Sequence, residues 1–337
     1  MEHSLTLWVV FNIFIVSMLI IDLMVFNRKP HEISIRESLV WTGIWIVMAI
    51  IFGIGLYYFM SPEASLEYFT GYLIEKSLSV DNIFVFLLVF TYFGVEPKYQ
   101  HRVLFWGIFG ALVFRLLFIL IGVALIERFH WIIYIFGVFL IFTGFKLGLE
   151  KDKEIRPDKN PVLLLVRRFI PITKNYHGQK FFIKRGRGYV ATPMFVVLVV
   201  IETTDIVFAL DSIPAIMAIT RDTFIIYSAN AFAILGLRAL YFALSGVMRL
   251  FHYLHYGLAF ILVFIGIKML LEGVYQIPTH ITLGIIISTL TISVLLSIFF
   301  PKEKKMDIPP VNLSPGSNDD HDEKQRTMKS KGKRTEG

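Results

Sequence analysis

The sequence predicts an all-α polytopic membrane protein. Hydrophobic residues make up 55% of the 337-residue chain and charged residues only 18%, which is unusual for a soluble protein of this length. The apolar residues come in runs of about 20, the length at which a helix crosses a bilayer. Long runs favour helices over a barrel, because a spanning helix satisfies its own backbone hydrogen bonds.

About nine apolar spans follow one another within a transmembrane domain placed at residues 1–300. Their predicted ranges are 5–26, 40–60, 68–93, 103–126, 130–149, 190–218, 223–247, 254–274 and 280–300. The basic loop 151–189 separates the fifth span from the sixth. Residues 301–337 are polar and contain Gly, Pro and Ser, a composition that predicts a disordered tail.

The charged loops predict the orientation in the membrane. Loop 151–189 is rich in Lys and Arg, which the positive-inside rule places in the cytoplasm. The loops with Arg28 and Lys98 then also fall inside, whereas the acidic segment SPEASLEY falls outside. We therefore expect a plasma-membrane protein with its N-terminus outside and its C-terminus in the cytoplasm. The net charge of +7 is explained by this topology without nucleic-acid binding.

Spans 3–5 (repeat one, 68–150) resemble spans 6–8 (repeat two, 190–274). Each unit begins with two acidic residues six positions apart, and its second span carries one arginine. These residues are Glu75, Asp81 and Arg115 in the first unit, and Asp205, Asp211 and Arg238 in the second. The third spans align without a gap, as YIFGVFLIFTGFKLGLE and YGLAFILVFIGIKMLLE. Because each unit has three helices, the second copy is inverted, an arrangement that transporters use around a midplane site.

Five carboxylates fall inside the predicted spans, where each costs roughly 2.5–3.5 kcal/mol on insertion scales. They are Glu75, Asp81, Glu202, Asp205 and Asp211. They must be compensated by arginine, by bound cations or by protons. One interpretation of these carboxylates is a metal or proton site, and the other is a structural ion-pair network. For Arg115 and Arg238 themselves, a structural or gating ion pair is preferred to substrate contact.

The neighbouring polar residues predict an all-oxygen site. Asn82, Ser79 and Ser212 could join the carboxylates, a donor set that suits Mn²⁺, Mg²⁺ or Ca²⁺. Pro214 lacks a backbone donor, so we expect span 6 to be locally unwound near it, and span 3 to be unwound at SLSVDN. The chain has no cysteine, which excludes disulfides and thiolate metal sites.

At GYLIEKSLSVDNIFVF and IETTDIVFALDSIPAI the chain resembles the TerC family of integral membrane proteins, in particular its Alx branch. The resemblance covers nearly all of residues 1–300 and includes NRKPHEISIRESL and NAFAILGLRALYFAL. It implies metal-ion homeostasis, with manganese export as the leading activity and a link to tellurium resistance. The family's acidic positions fall on Glu75, Asp81, Asn82, Glu202, Asp205, Asp211 and Ser212.

The leading hypothesis is a secondary transporter that exports a divalent cation, Mn²⁺ above all, in exchange for protons. The expected partners are the ion, protons and the bilayer, with no permanently bound cofactor. An intramembrane aspartyl protease is the enzymatic alternative, but its usual Tyr-Asp and Gly-x-Gly-Asp motifs are absent, so we expect no enzyme. The other alternative is a membrane scaffold or partner-dependent protein in metal or tellurium stress. Such a scaffold should tolerate neutralisation of the buried acids, whereas a transporter should not.

Overall fold

The computed structural model describes residues 5–26, 35–149, 170–173, 175–185, 188–245 and 253–300. Its elements are α1 (Leu5–Phe26), α2 (Ile35–Phe59), α3 (Pro62–Phe93), α4 (Pro97–Arg128), α5 (Ile132–Leu149), β1 (Phe182–Arg185), β2 (Gly188–Ala191), α6 (Pro193–Met217), α7 (Thr223–Leu235), α8 (Leu237–Ser245), α9 (Leu254–Leu271) and α10 (Thr279–Phe299). The predicted tail 301–337 and most of the basic loop lie outside the described residues.

Within the described part, seven helical stretches are long and apolar enough to cross a membrane by length and composition. They are Arg36–Phe59, Pro97–Arg128, Ile132–Leu149, Pro193–Met217, Thr223–Leu244, Leu254–Leu271 and Thr279–Phe299, and the shorter apolar stretch Leu5–Ile21 adds to them. The polytopic all-α class is therefore confirmed. The charged helix α3 is not among the seven, so the count of nine spans stays a prediction.

Helix α3 is closed at both ends by side-chain and backbone caps. The Oγ atom of Ser61 accepts a hydrogen bond from the amide of Ala64 at 3.0 Å, and Pro62 occupies the first turn, where its missing N–H does no harm. Gly94 ends the helix with φ of 64°, a left-handed conformation that favours glycine. The helix between these caps has 32 residues without interruption, and Glu75 lies near its middle.

The predicted unwinding of spans 3 and 6 is wrong. Helix α6 continues through Pro214 to Met217, and α3 continues through SLSVDN. Pro214 lies in the last turn of α6, so the only hydrogen bond lost is the one to the carbonyl of Leu210, close to the helix end. The interruption lies instead in span 7, where Gly236 separates α7 from α8.

A short antiparallel hairpin precedes α6. Strand β1 pairs with β2 in a register that places Phe182 opposite Ala191 and Arg185 opposite Gly188. The Oγ1 atom of Thr192 then donates to the carbonyl of Lys180 at 2.5 Å, which ties the start of α6 to the base of the hairpin. Residues 182–189 of this segment fall in the predicted basic loop, whereas 190 and 191 had been predicted to begin span 6.

Helices α5 and α9 make the most extensive contact among the described helices, and they meet at glycines. A Cβ on Gly266 would lie 2.6 Å from the carbonyl oxygen of Gly137, and one on Gly144 would lie 2.8 Å from that of Ala259. Small residues allow membrane helices this close an approach. In the predicted repeat alignment Gly137 matches Ala259 and Gly144 matches Gly266, so a two-fold rotation exchanges the two contacts. An inverted repeat would produce this reciprocity, although the repeat itself stays a prediction.

Candidate ion site

Arg115 lies at the centre of a buried polar cluster where α3, α4, α6 and α7 meet. Its Nε and Nη2 atoms donate to the two carboxylate oxygens of Asp205, each at 3.1 Å. Its Nη1 atom donates to Glu75 Oε1, to Asn230 Oδ1 at 2.9 Å and to Ser212 Oγ at 3.3 Å. All five residues are buried. Four helices are thus joined by one guanidinium group, and the fork to Asp205 is the strong bidentate geometry.

The cluster carries more negative than positive charge. Glu75 and Asp205 pair with the same guanidinium, so two carboxylates share one cation. Among the described residues, the second carboxylate oxygen of Glu75 accepts one long hydrogen bond, 3.4 Å, from the Nδ2 atom of Asn230. Glu75 is 0% exposed, and an uncompensated charge in such a place is costly. Within these five residues, a proton or a bound cation would balance the second carboxylate.

The ion-pair network that the sequence predicted as one alternative is present for Arg115, which pairs with Glu75 and Asp205. No group of three or more His, Cys, Asp or Glu side chains placed to hold a metal ion occurs among the described residues. The side chain of Asp81 lies outside that description. The predicted metal site therefore stays a prediction, with six ligands: Glu75, Asp81, Asn82, Glu202, Asp205 and Asp211.

Glu202 shares α6 with Asp205 but makes separate contacts. Its carboxylate packs against Gly110 of α4, where a Cβ would find no room. The Oε2 atom is buried and has no hydrogen-bond partner in the described part of the chain. Glu202 is thus a carboxylate with unused acceptor capacity, three residues from the Arg115 cluster along the same helix.

A cavity of about 160 Å³ lies beside the cluster, between α3, α5, α6 and α9. Its polar lining comes from Asn82, Thr143, Lys146, Asp211 and Ser212, and the remaining walls are apolar. Asn82, Asp211 and Ser212 were predicted as site residues. Because Ser212 also accepts a hydrogen bond from Arg115, it connects the cavity to the buried cluster.

The other predicted site residues are distributed around this centre. Ser79 is 1% exposed on α3, and its Oγ atom has no hydrogen-bond partner among the residues described. Arg238 is buried at the beginning of α8, just beyond the break at Gly236. The described hydrogen bonds of Arg115 go to Asp205, Glu75, Ser212 and Asn230, whereas the predicted repeat gives Arg115 and Arg238 equivalent positions.

Lys76 and Asn230 were not among the predicted site residues. The Nζ atom of Lys76 donates to the carbonyl of Ala233 at 3.3 Å, in the last turn of α7, where a cation complements the helix dipole. A Cβ on Gly236 would lie 2.8 Å from this Nζ atom, so the lysine and the helix break fit together. The sequence feature that could have identified Lys76 is its charge, because a lysine inside an apolar span needs a polar partner.

Comparisons with known proteins agree with the membrane architecture. The family model described as "Integral membrane protein TerC family" matches residues 60–305. The chain is 47% identical over 292 residues to "Uncharacterized membrane protein STKORF319" of Myxococcus xanthus, covering 87% of this chain and 92% of that protein.

Two further relatives are named "Putative membrane-bound redox modulator Alx". The Salmonella typhi protein is 43% identical over 301 residues, covering 86% of this chain and 93% of its own. The Escherichia coli K12 protein is 41% identical over 301 residues, covering 86% and 94%. No solved structure matches the chain significantly. The resemblance found in the sequence is thus confirmed, and the chain belongs to the TerC family of integral membrane proteins.

Proposed function

We propose that the protein is a secondary transporter, not an enzyme, that exports divalent metal ions from the cytoplasm in exchange for protons, with Mn²⁺ as its main substrate. The observation that carries this proposal is the charge balance at Arg115. Two buried carboxylates, Glu75 and Asp205, share one guanidinium, so one further positive charge is required. A site that must be filled by either a proton or a cation is the elementary requirement of an antiporter.

The cavity would supply ligands for the cation. Asn82, Asp211 and Ser212 line it together with Lys146, and amide, carboxylate and hydroxyl oxygens are the donors that hard divalent cations prefer. Ser212 lies between this cavity and Arg115. A cation held at Asp211 would therefore be close enough to the cluster for its arrival to favour loss of a proton there.

The energetics require a driving ion. Moving a dication outward against 100 mV costs about 4.6 kcal/mol, two charges at about 2.3 kcal/mol each. Two protons moving inward would offset this electrical cost at the same potential. The chain would lie in the plasma membrane with its N-terminus outside and its C-terminus in the cytoplasm, because the positive-inside rule assigns the basic residues before α6, such as Lys184 and Arg185, to the cytoplasmic side.

The name of the Alx relatives refers to redox modulation. This chain contains no cysteine, so thiol–disulfide exchange is not available to it. Export of a redox-active metal ion would be compatible with such a name and needs no thiol in the protein.

The test is metal flux in sealed proteoliposomes that contain one manganese-sensitive and one pH-sensitive dye, with Mg²⁺, Ca²⁺ and Zn²⁺ as competitors. We expect Mn²⁺ movement coupled to opposite proton movement, abolished by Asp211→Asn and by Asp81→Asn. Glu63→Gln is the matched control, because Glu63 is exposed in the first turn of α3. Full flux in both aspartate variants would overturn the proposal.

A scaffold without transport activity is the second candidate function. The bidentate contact in which Arg115 donates to both carboxylate oxygens of Asp205 favours it. A purely structural network would explain that contact without any travelling ion. Folded wild-type protein that moves no ion in the same vesicles would support this candidate. Growth of cells under manganese stress, restored equally by wild type and Asp211→Asn, would support it independently.

A further inference from the structure

Four polar residues follow one buried face of α3. Tyr72, Glu75, Ser79 and Asn82 stand at positions i, i+3, i+7 and i+10, the spacing of a single helix face. Their exposed fractions are 5%, 0%, 1% and 2%. The row is about 15 Å long at about 1.5 Å per residue, roughly half the 30 Å hydrocarbon thickness of a bilayer.

Two hydroxyl groups of this row lack partners. Tyr72 Oη and Ser79 Oγ are buried and form no hydrogen bond with any described residue. Other hydroxyls on the same helix behave differently, since Thr70 and Ser77 donate to the carbonyls four residues earlier at 2.7 and 2.5 Å. Ser79 has the same option but does not use it. Unsatisfied buried hydroxyls are costly, and internal water is their usual partner.

The row also reaches a cavity that is large enough to hold water. Asn82, at one end, lines the cavity of about 160 Å³, which has room for about five molecules at about 30 Å³ each. Ser79 lies between Asn82 and Glu75 on the helix face, and Tyr72 lies beyond Glu75. The next aromatic hydroxyl along the helix, that of Tyr68, is already bonded to the carbonyl of Ala49 at 3.2 Å, so the row ends at Tyr72.

We propose that this face of α3 is a hydrated path that leads from the cavity at Asn82, past Ser79, to Glu75 and on to Tyr72. Water held by the two free hydroxyls would connect the buried carboxylate to the cavity. This hydration does not depend on the proposed transport function, and it can be measured in protein that transports nothing.

The absence of cysteine in the chain makes thiol accessibility a direct test. Single variants Ser79→Cys and Thr143→Cys, the latter in the cavity lining, are treated in the full-length protein with Ag⁺. The silver ion is small enough to enter single-file water and replaces the thiol proton. The thiols that remain are then counted with a fluorescent maleimide after unfolding. Ser228→Cys is the control, because Ser228 is 0% exposed and its hydroxyl is satisfied by the carbonyl of Ile225.

We expect both test variants to react at least about tenfold faster than Ser228→Cys, which should react only on local opening. Protection of Ser79→Cys equal to that of Ser228→Cys would overturn the path. Protection of Thr143→Cys as well would show that the cavity is not hydrated, which also overturns it. Flux measured on the same samples separates the two proposals, since labelling without flux would contradict transport alone.

Stability provides a second readout should the cysteine variants fail to fold. Removing a dry, unsatisfied hydroxyl should raise the melting temperature, whereas removing one that binds water should leave it unchanged or lower it. We expect the second result for Ser79→Ala and Tyr72→Phe, with Ser77→Ala as a control whose hydroxyl is satisfied within the helix. A clear rise in both melting temperatures would overturn the proposal.

Discussion

Replacement of Arg115 by leucine tests whether the buried cluster holds the four helices together. The substitution removes hydrogen bonds to Glu75, Asp205, Ser212 and Asn230 and leaves two carboxylates without a cation. Breaking a buried ion pair from one side costs about 3–5 kcal/mol, because the remaining charge is uncompensated. At about 2–4 °C per kcal/mol, this loss corresponds to a melting temperature lower by about 10 °C.

The assay is thermal unfolding of the purified, detergent-solubilised protein, with SDS titration as an independent measure of the free energy of unfolding. Arg221→Leu is the matched control, since Arg221 also pairs with a carboxylate, that of Glu272, but is 42% exposed. Exposed pairs contribute about 0–1 kcal/mol. The difference between the two leucine variants therefore isolates the effect of burial from the loss of an arginine.

Glu75→Gln provides the opposite test at the same place. The amide can still accept a hydrogen bond from Arg115, while the surplus negative charge disappears. We therefore expect a change in the free energy of unfolding within about 1 kcal/mol, much smaller than that of Arg115→Leu. The reasoning would be refuted if Arg115→Leu cost no more than Arg221→Leu, or if Glu75→Gln cost as much as Arg115→Leu.

Two further predictions concern glycines at close contacts. Gly266→Ala should destabilise the protein by about 1–3 kcal/mol, because its Cβ would lie 2.6 Å from the Gly137 carbonyl oxygen. The control in the same unfolding assay is Gly284→Ala, whose Cβ would meet no neighbouring atom within 4 Å. Equal stability of the two variants would contradict the close α5–α9 contact. Gly110→Ala should leave the fold intact but displace the carboxylate of Glu202, lowering Mn²⁺ flux in proteoliposomes; unchanged flux would exclude a role for that carboxylate.

Much of the architecture could be predicted from the sequence, because apolar runs of spanning length determine where helices lie. The break in span 7 could not. It depends on Gly236 and on Lys76, which lies 157 residues from the carbonyl of Ala233 that it contacts. Pro214 gave a misleading signal, because the effect of a proline depends on its distance from the helix end, which the sequence does not define closely.

The acidic residues of the site were equally visible in the sequence, since carboxylates inside apolar spans are expensive. Their partners were not visible, because Arg115 is separated from Glu75 by 40 residues and from Asp205 by 90. Glu202 and Asp205 stand three residues apart on α6, a spacing that puts them on one helix face, yet packing against Gly110 separates their contacts. The decisive information lies in helix contacts between distant segments, and only the fold supplies it.

The structure places predicted metal ligands in two sets with different surroundings, the cluster around Arg115 and the cavity beside it. Glu75 and Asp205 are already held by Arg115, so a divalent cation could bind there only by displacing a guanidinium from a bidentate contact. Asp211 lines the cavity instead. In the proposed transport function, the cation would be held at the cavity, and the cluster at Arg115 would respond by exchanging a proton. Ser212 belongs to both sets, and this makes it the position at which the two events can be coupled.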